Sequence, residues 1–136
     1  MVSLENVLSK NSALQLSSVT LAFIGDAVYS LYVRKKLVFD KDEKGAVLNK
    51  KASDTVCASA QANFIDKILP VLTEEEVEVF KRARNTKKGT RAKHATVGEY
   101  NKATGFEALV GFLYLTGQNE RLNYLLNYGE NDENWR

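Results

Sequence analysis

The sequence predicts an all-α fold. Three observations carry that reading. Apolar and small residues recur at three- and four-residue spacing, as in Ala52, Val56 and Ala60. No stretch alternates apolar and polar residues with the period of two that a half-buried strand needs, and no Asn-Gly hairpin turn occurs. Helix punctuation is present instead: Thr73-Glu-Glu-Glu76 is a capping box, Pro70 stands just before it, and Gly117 follows a long apolar run.

Each element follows from such signals. Ser17 or Ser18 caps a helix that runs to about Leu37. Residues 39–45 are charged and turn-like. A second long helix is predicted over 46–69, where Ile65, Ile68 and Leu69 continue the apolar face and Pro70 ends it. The capping box starts a third helix over 74–84. Residues 85–97 read as a polar, basic loop around Gly89. A fourth helix covers about 98–115, with residues 112–114 as core or subunit interface. A last one, about 119–127, offers Leu122, Leu125 and Leu126 to the core. No internal repeat interrupts this order.

Composition fits a soluble globular protein, with 44% hydrophobic and 26% charged residues. A single domain over residues 1–136 is expected, long enough to bury a core. The N-terminal Met1-Val-Ser-Leu-Glu-Asn lacks the pattern of a secretory signal, and no apolar run is long enough to span a bilayer, so no membrane partner is expected. Cys57 is alone, which excludes an intramolecular disulfide and a CxxC metal site and points to a reducing cytoplasm. Nucleotide, dinucleotide and zincin chemistry lack their motifs: there is no GxxxxGK[ST], GxGxxG or HExxH.

Two acids interrupt stretches expected to be buried. Asp26 lies within Leu21-Ala-Phe-Ile-Gly-Asp-Ala-Val-Tyr29, and Glu107 within Phe106-Glu-Ala-Leu-Val-Gly-Phe-Leu-Tyr-Leu115. A carboxylate among apolar residues must be paired, hydrogen-bonded, protonated or bound to a metal. On a helix Asp26 shares a strip with Ala22 and Ser30, and Glu107 with Ala103 and Gly111. Such small-residue strips allow close helix approach, and facing strips would bring both carboxylates to one pocket. Two carboxylates suit Mg²⁺, which keeps several waters, and are sparse for Ca²⁺. Two structural alternatives stand beside this: Asp26 capping a helix after a Gly25 turn, and Glu107 paired with a buried Lys or Arg.

Net charge is only +2, but its distribution is uneven. Lys81, Arg82, Arg84, Lys87, Lys88, Arg91 and Lys93 follow one another with no acid between them. Asn85, Thr86, Gly89 and Thr90 add groups suited to phosphate contact, and Lys50 and Lys51 add charge from another helix. The lack of interleaved aromatics favours a duplex backbone over stacked single-stranded bases. His94, the sole histidine, reads as a phosphate contact or a surface residue.

These segments are also similar to a known family. Leu21-Ala-Phe-Ile-Gly-Asp-Ala-Val-Tyr29 resembles the catalytic helix of ribonuclease III, and the Glu107 segment resembles that family's second acidic helix. Lys81-Arg-Ala-Arg-Asn-Thr-Lys-Lys-Gly89, with the short length, resembles the Mini-ribonuclease III branch. The three motifs occur in family order, and the likeness spans about 14–128.

The resemblance implies a helical-bundle endonuclease domain, working as a homodimer, that cuts double-stranded RNA with Mg²⁺ and leaves 5′-phosphate and 3′-hydroxyl ends. In the Mini branch, which lacks an appended double-stranded RNA-binding domain, the implied substrate is the large-subunit ribosomal RNA precursor. A ribosomal protein on that RNA is a further implied partner. Asp26 and Glu107 become the expected catalytic residues and metal ligands. The expected RNA contacts are Lys50, Lys51, Arg84, Asn85, Lys87, Lys88, Thr90, Arg91, Lys93 and His94. Phe23 and Tyr29 are candidates for the dimer contact. Full-length members carry further acids one turn earlier, where this chain has Ala22 and Thr104. Thr104 is expected to hold a water in place of the missing acid. The alternative is a non-catalytic RNA-binding or ribosome-assembly factor of the same fold, and a helical protein-interaction module is a third reading.

Overall fold

A helix that is apolar on every side has no face for solvent and must lie inside the protein. The helix Val97–Leu115 is of this kind from Ala103 onward: Ala103, Thr104, Gly105 and Phe106 and then every residue from Ala108 to Leu113 are buried. The computed structural model describes residues 1–86 and 95–130. In chain order its helices are α1 (Lys10–Leu14), α2 (Ser18–Asp40), α3 (Gly45–Val56), α4 (Ala58–Ile68), α5 (Glu74–Asn85), α6 (Val97–Leu115) and α7 (Asn119–Glu130), with a 3₁₀ turn at Leu69–Val71. The described residues contain no strand. α6 is the axis: α1, α2, α4, α5 and α7 all pack against it.

Helix ends follow the expected chemistry. The Ser17 side chain accepts from the Thr20 backbone N–H, and Thr73 and Glu76 form the reciprocal capping box at α5. A second box, Thr96 with Glu99, starts α6 at Val97. Gly117 follows α6 with φ +72°, a backbone conformation glycine adopts without steric cost. The predicted core is in place: Ile65, Ile68, Phe112, Leu125 and Leu126 are all essentially inaccessible. Phe106 is edge-on to Tyr29 (centroids 4.9 Å apart) and tilted against Phe64 (5.3 Å).

Some boundaries differ from expectation. The long helix over 46–69 is two helices, broken at Cys57, whose ψ of 160° is extended. Two β-branched residues precede the break, and the Thr55 hydroxyl donates to the Lys51 carbonyl, a back-bond that weakens the last turn. α2 continues to Asp40, so Phe39 and Asp40 are helical rather than turn. α1 is an addition, five residues capped by Ser9. Tyr29 is core at 3% exposure and is not available for a subunit contact, whereas Phe23 is 79% exposed.

Two cations have structural duties. Arg82, part of the basic run, donates to the Ser18 hydroxyl (3.0 Å) and to the carbonyls of Leu14 (2.9 Å) and Leu16 (2.8 Å), tying α5 to the α1–α2 turn. Arg121 on α7 grips buried Glu76 through two 2.8 Å bonds and also donates to the Val71 carbonyl at 2.7 Å. Burial alone raises the Glu76 pKa, but the Arg121 and Thr73 bonds outweigh it and hold the carboxyl below its usual range.

α2 and α6 meet backbone to backbone. A Cβ added at Gly25 would lie 1.7 Å from the Glu107 carbonyl oxygen, and one at Gly111 would lie 2.0 Å from that of Leu21. No rotamer relieves either clash, so the helices must separate. Gly25→Ala is expected to lower unfolding free energy by about 3 kcal/mol or more, the upper end for overpacking. Gly45→Ala, where nothing lies within 4 Å, should change it by less than about 1 kcal/mol. Urea titrations of both variants measure the contrast.

Candidate active site

The backbone crossing places the acids. Gly25 touches the Glu107 carbonyl, so Asp26, the next residue on α2, is carried beside Glu107 on α6. Their carboxyl groups lie within hydrogen-bonding reach of one another. Neither structural alternative for the acids fits. Gly25 and Asp26 are in the middle of α2 rather than at a turn, and no salt bridge ties Glu107 to a Lys or Arg among the described residues. From α4, Gln61 Nε2 donates to Glu107 Oε2 at 3.4 Å. Beside Glu107 opens a cleft of about 460 Å³ between the α3–α4 break and α6, walled by Cys57, Ser59, Gln61, Tyr100 and Thr104.

The two acids do not share one environment. Glu107 is half-buried, but Asp26 is exposed, contrary to expectation. Leu21, Ala22, Gly25, Tyr29 and Val33 turn one side of α2 to the core, while Val19, Phe23 and Leu31 stand in solvent on the other. Asp26 sits at the border of these faces. Burial, then the hydrogen bond and charge of Asp26, push the Glu107 pKa up to about 8, against an opposing Gln61 bond. A half-buried carboxyl facing a second one is relieved by a proton or by a cation. The donor set is hard and oxygen-based, and leaves room for water, which fits Mg²⁺. No group of three or more His, Cys, Asp or Glu side chains is assembled among the described residues, so the pair stands without a third carboxylate.

Thr104 lies one turn before Glu107 on the cleft wall. Its hydroxyl donates to the Tyr100 carbonyl at 3.0 Å, leaving its oxygen as an acceptor toward the cleft. Ala22 is buried and brings no polar group. The expected RNA-binding residues are placed less fully. Lys50 pairs with Asp54 (3.3 Å) and Lys51 with Glu43 on the surface of α3. Arg84 Nε donates to Asn85 Oδ1 at 3.1 Å at the end of α5, and its guanidinium lies 5.5 Å from the Phe80 ring centroid. None of the four lines the cleft. Lys87, Lys88, Thr90, Arg91, Lys93 and His94 lie outside the described residues.

Gln61 and the α3–α4 break are the parts of the site that sequence reasoning missed. The signal for Gln61 was a lone amide at i, i+4 and i+7 spacing with Ile65 and Ile68 on a buried face.

The raised Glu107 pKa has a thermodynamic consequence. Unfolded, this carboxyl titrates near 4.5; folded and without metal, near 8. Between these values the folded state holds a proton that the unfolded state has released. Stability therefore falls as pH rises through that window. With divalent cations chelated, the melting temperature should fall between about pH 5 and pH 8, and Glu107→Gln should flatten the fall. The variant should also melt higher than the parent at pH 8. Thermal melts across pH in chelator check both.

Comparison with known proteins agrees with the geometry. The ribonuclease III domain family matches residues 19–118, which contain both acids. A Mini-ribonuclease 3 from Thermoanaerobacter sp. (strain X514) is 48% identical over 125 residues, covering 90% of this chain and 88% of that protein. One from Enterococcus faecalis is 47% identical over 116 residues, covering 84% and 88%. The crystal structure of protein FN1578 from Fusobacterium nucleatum superposes with a TM-score of 0.77 at 35% identity, covering 83% of this chain and 90% of that one. The chain belongs to the ribonuclease III family of endoribonucleases.

Proposed function

We propose that this chain is a Mg²⁺-dependent endonuclease of double-stranded RNA, with Asp26 and Glu107 as its metal-binding and catalytic pair. The observation that carries the reading is the meeting of these two carboxyls, from different helices, at the edge of an open cleft. Similarity to proteins named Mini-ribonuclease 3 supports it.

In this reading a water oxygen attacks the phosphorus in line. The 3′ oxygen departs and takes up a proton, and the phosphate stays on the 5′ side. A divalent cation held by Asp26 and Glu107 supplies polarisation of a phosphoryl oxygen and a lower pKa for water. In this reading Asp26, which is exposed, receives the attacking water's proton. In the same reading the Thr104 oxygen, whose hydrogen goes to the Tyr100 carbonyl, accepts from a water in the cleft. The basic segment, with Arg84 and Asn85 at its start, and Lys50 and Lys51 hold duplex phosphates. The substrate within this reading is a duplex region of the large-subunit ribosomal RNA precursor in the cytoplasm, with ribosomal protein bound to it.

The active form is a homodimer. Val19, Phe23, Leu31 and Val38 lie along α2 and are between 55% and 79% exposed. An apolar stripe on the helix that bears Asp26 suits a two-fold contact, which would set two sites against one duplex. Phe23→Asp should give a monomer by sedimentation and lose cleavage.

Asp26→Asn and Glu107→Gln should each lower cleavage of duplex RNA by more than the roughly 10- to 100-fold that loss of a supporting partner costs a metal site. Both should leave duplex binding in chelator intact. Binding without any cleavage by the parent chain in Mg²⁺ would instead select a non-catalytic RNA-binding factor. Replacing Lys87, Lys88 and Arg91 with Ala should weaken binding and reduce the slope of log affinity against log salt by roughly 3. Filter binding over a salt series reads that slope.

A further inference from the structure

Gln61 is 2% exposed, beside Ala62, Phe64 and Ile65 on a face of α4 that is otherwise apolar. Burying a primary amide is unfavourable unless its polar atoms find partners. Leu or Met would fill the same volume without that penalty, so packing does not account for an amide here. Its Nε2 points at one atom of the site, Glu107 Oε2. At 3.4 Å the bond is long, and its role is orientation more than strength.

Glu107 needs orienting. Its side chain has several rotatable bonds and borders a 460 Å³ cleft, where its nearest α6 neighbours on the wall are the smaller Ala103 and Thr104, with Tyr100 one turn further off. Once both carboxyls are ionised, as cation binding requires, Asp26 repels it from the α2 side. Unrestrained, the carboxylate would swing into the cleft, away from the point that both acids face. The chemistry of the restraint also matters. A Lys or Arg at position 61 would hold Glu107 more firmly but would neutralise the charge a cation needs. A neutral amide donor fixes the carboxylate and leaves its charge intact. The helix break at Cys57 starts α4 at the cleft, and position 61 lies in its first turns, facing α6.

We infer that Gln61 is a positioning residue that holds the Glu107 carboxylate toward the point it shares with Asp26, and so sets the affinity of the pair for a divalent cation. This rests on the assignment of Asp26 and Glu107 as the cation-binding pair.

The test is Mg²⁺ titration of the whole protein without RNA, read as the rise in melting temperature, for the parent chain, Gln61→Met and Glu107→Gln. Gln61→Met should melt close to the parent in chelator but need roughly 10- to 100-fold more Mg²⁺ for half of the stabilisation. Glu107→Gln should abolish the Mg²⁺ response. Gln61→Asn keeps an amide one methylene short of Glu107, and it should shift the Mg²⁺ requirement in the same direction if Gln61→Met does not fold. A parent-like Mg²⁺ requirement in Gln61→Met, or in Gln61→Asn where the first variant is unfolded, would overturn the inference. The cation-binding pair would still stand if Glu107→Gln is silent. An unchanged response in Glu107→Gln would overturn both.

Discussion

The rest of the structure depends on the contact between the backbones of α2 and α6. Glycine at 25 and at 111 lets a carbonyl of each helix rest against the other helix's main chain. Most helix pairs are spaced by interdigitating side chains, whose rotamers leave some play. Here the spacing is set by peptide groups, which have almost none. Asp26 and Glu107 each stand within one residue of that contact. Their separation is therefore a property of the scaffold, and the Phe106, Tyr29 and Phe64 rings below keep it rigid. A site preorganised in this way need not spend binding free energy on assembling itself.

That rigidity also explains how the fold tolerates an unfavourable pair. Two carboxyls pressed together, one half-buried, oppose folding whenever both are ionised. A loose site would relax by turning them apart. This one is held by helices whose buried surfaces run the length of the bundle, so the tension stays local and is available to whatever cation resolves it. Binding of such a cation to the folded chain alone then adds to stability by mass action. The same group that weakens the metal-free protein gives the cation its hold.

The sequence made the helices legible because their signals are local: the Thr73 box, Pro70, Gly117 and the spacing of Ile65 and Ile68 each act within one or two turns. The acids were legible for a different reason, since a charge inside an apolar stretch demands a partner. The exposure of Asp26 was not. It depends on which side of α2 faces the core, and α2 is apolar on both sides, with Leu21 and Tyr29 inward and Phe23 and Leu31 outward. The break at Cys57 was hidden because Ala52 before it and Ala58, Ala60 and Ala62 after it all favour helix. Gln61 gains its meaning only from a residue 46 positions further along the chain.

The grip of Arg121 on Glu76 and on the Val71 carbonyl acts as a register peg for the last helix. The leucines of α7 set its register only loosely, and Gly129, which leaves room for the Phe64 ring, sets it from one end. Any slide of α7 would strand a carboxylate that is 3% exposed, and an unpaired buried charge is far costlier than a misplaced leucine. The planar guanidinium fork meets its three oxygens in one position only. The ion pair thus adds a second, polar fix to a hydrophobic contact, and the two together accept a single alignment.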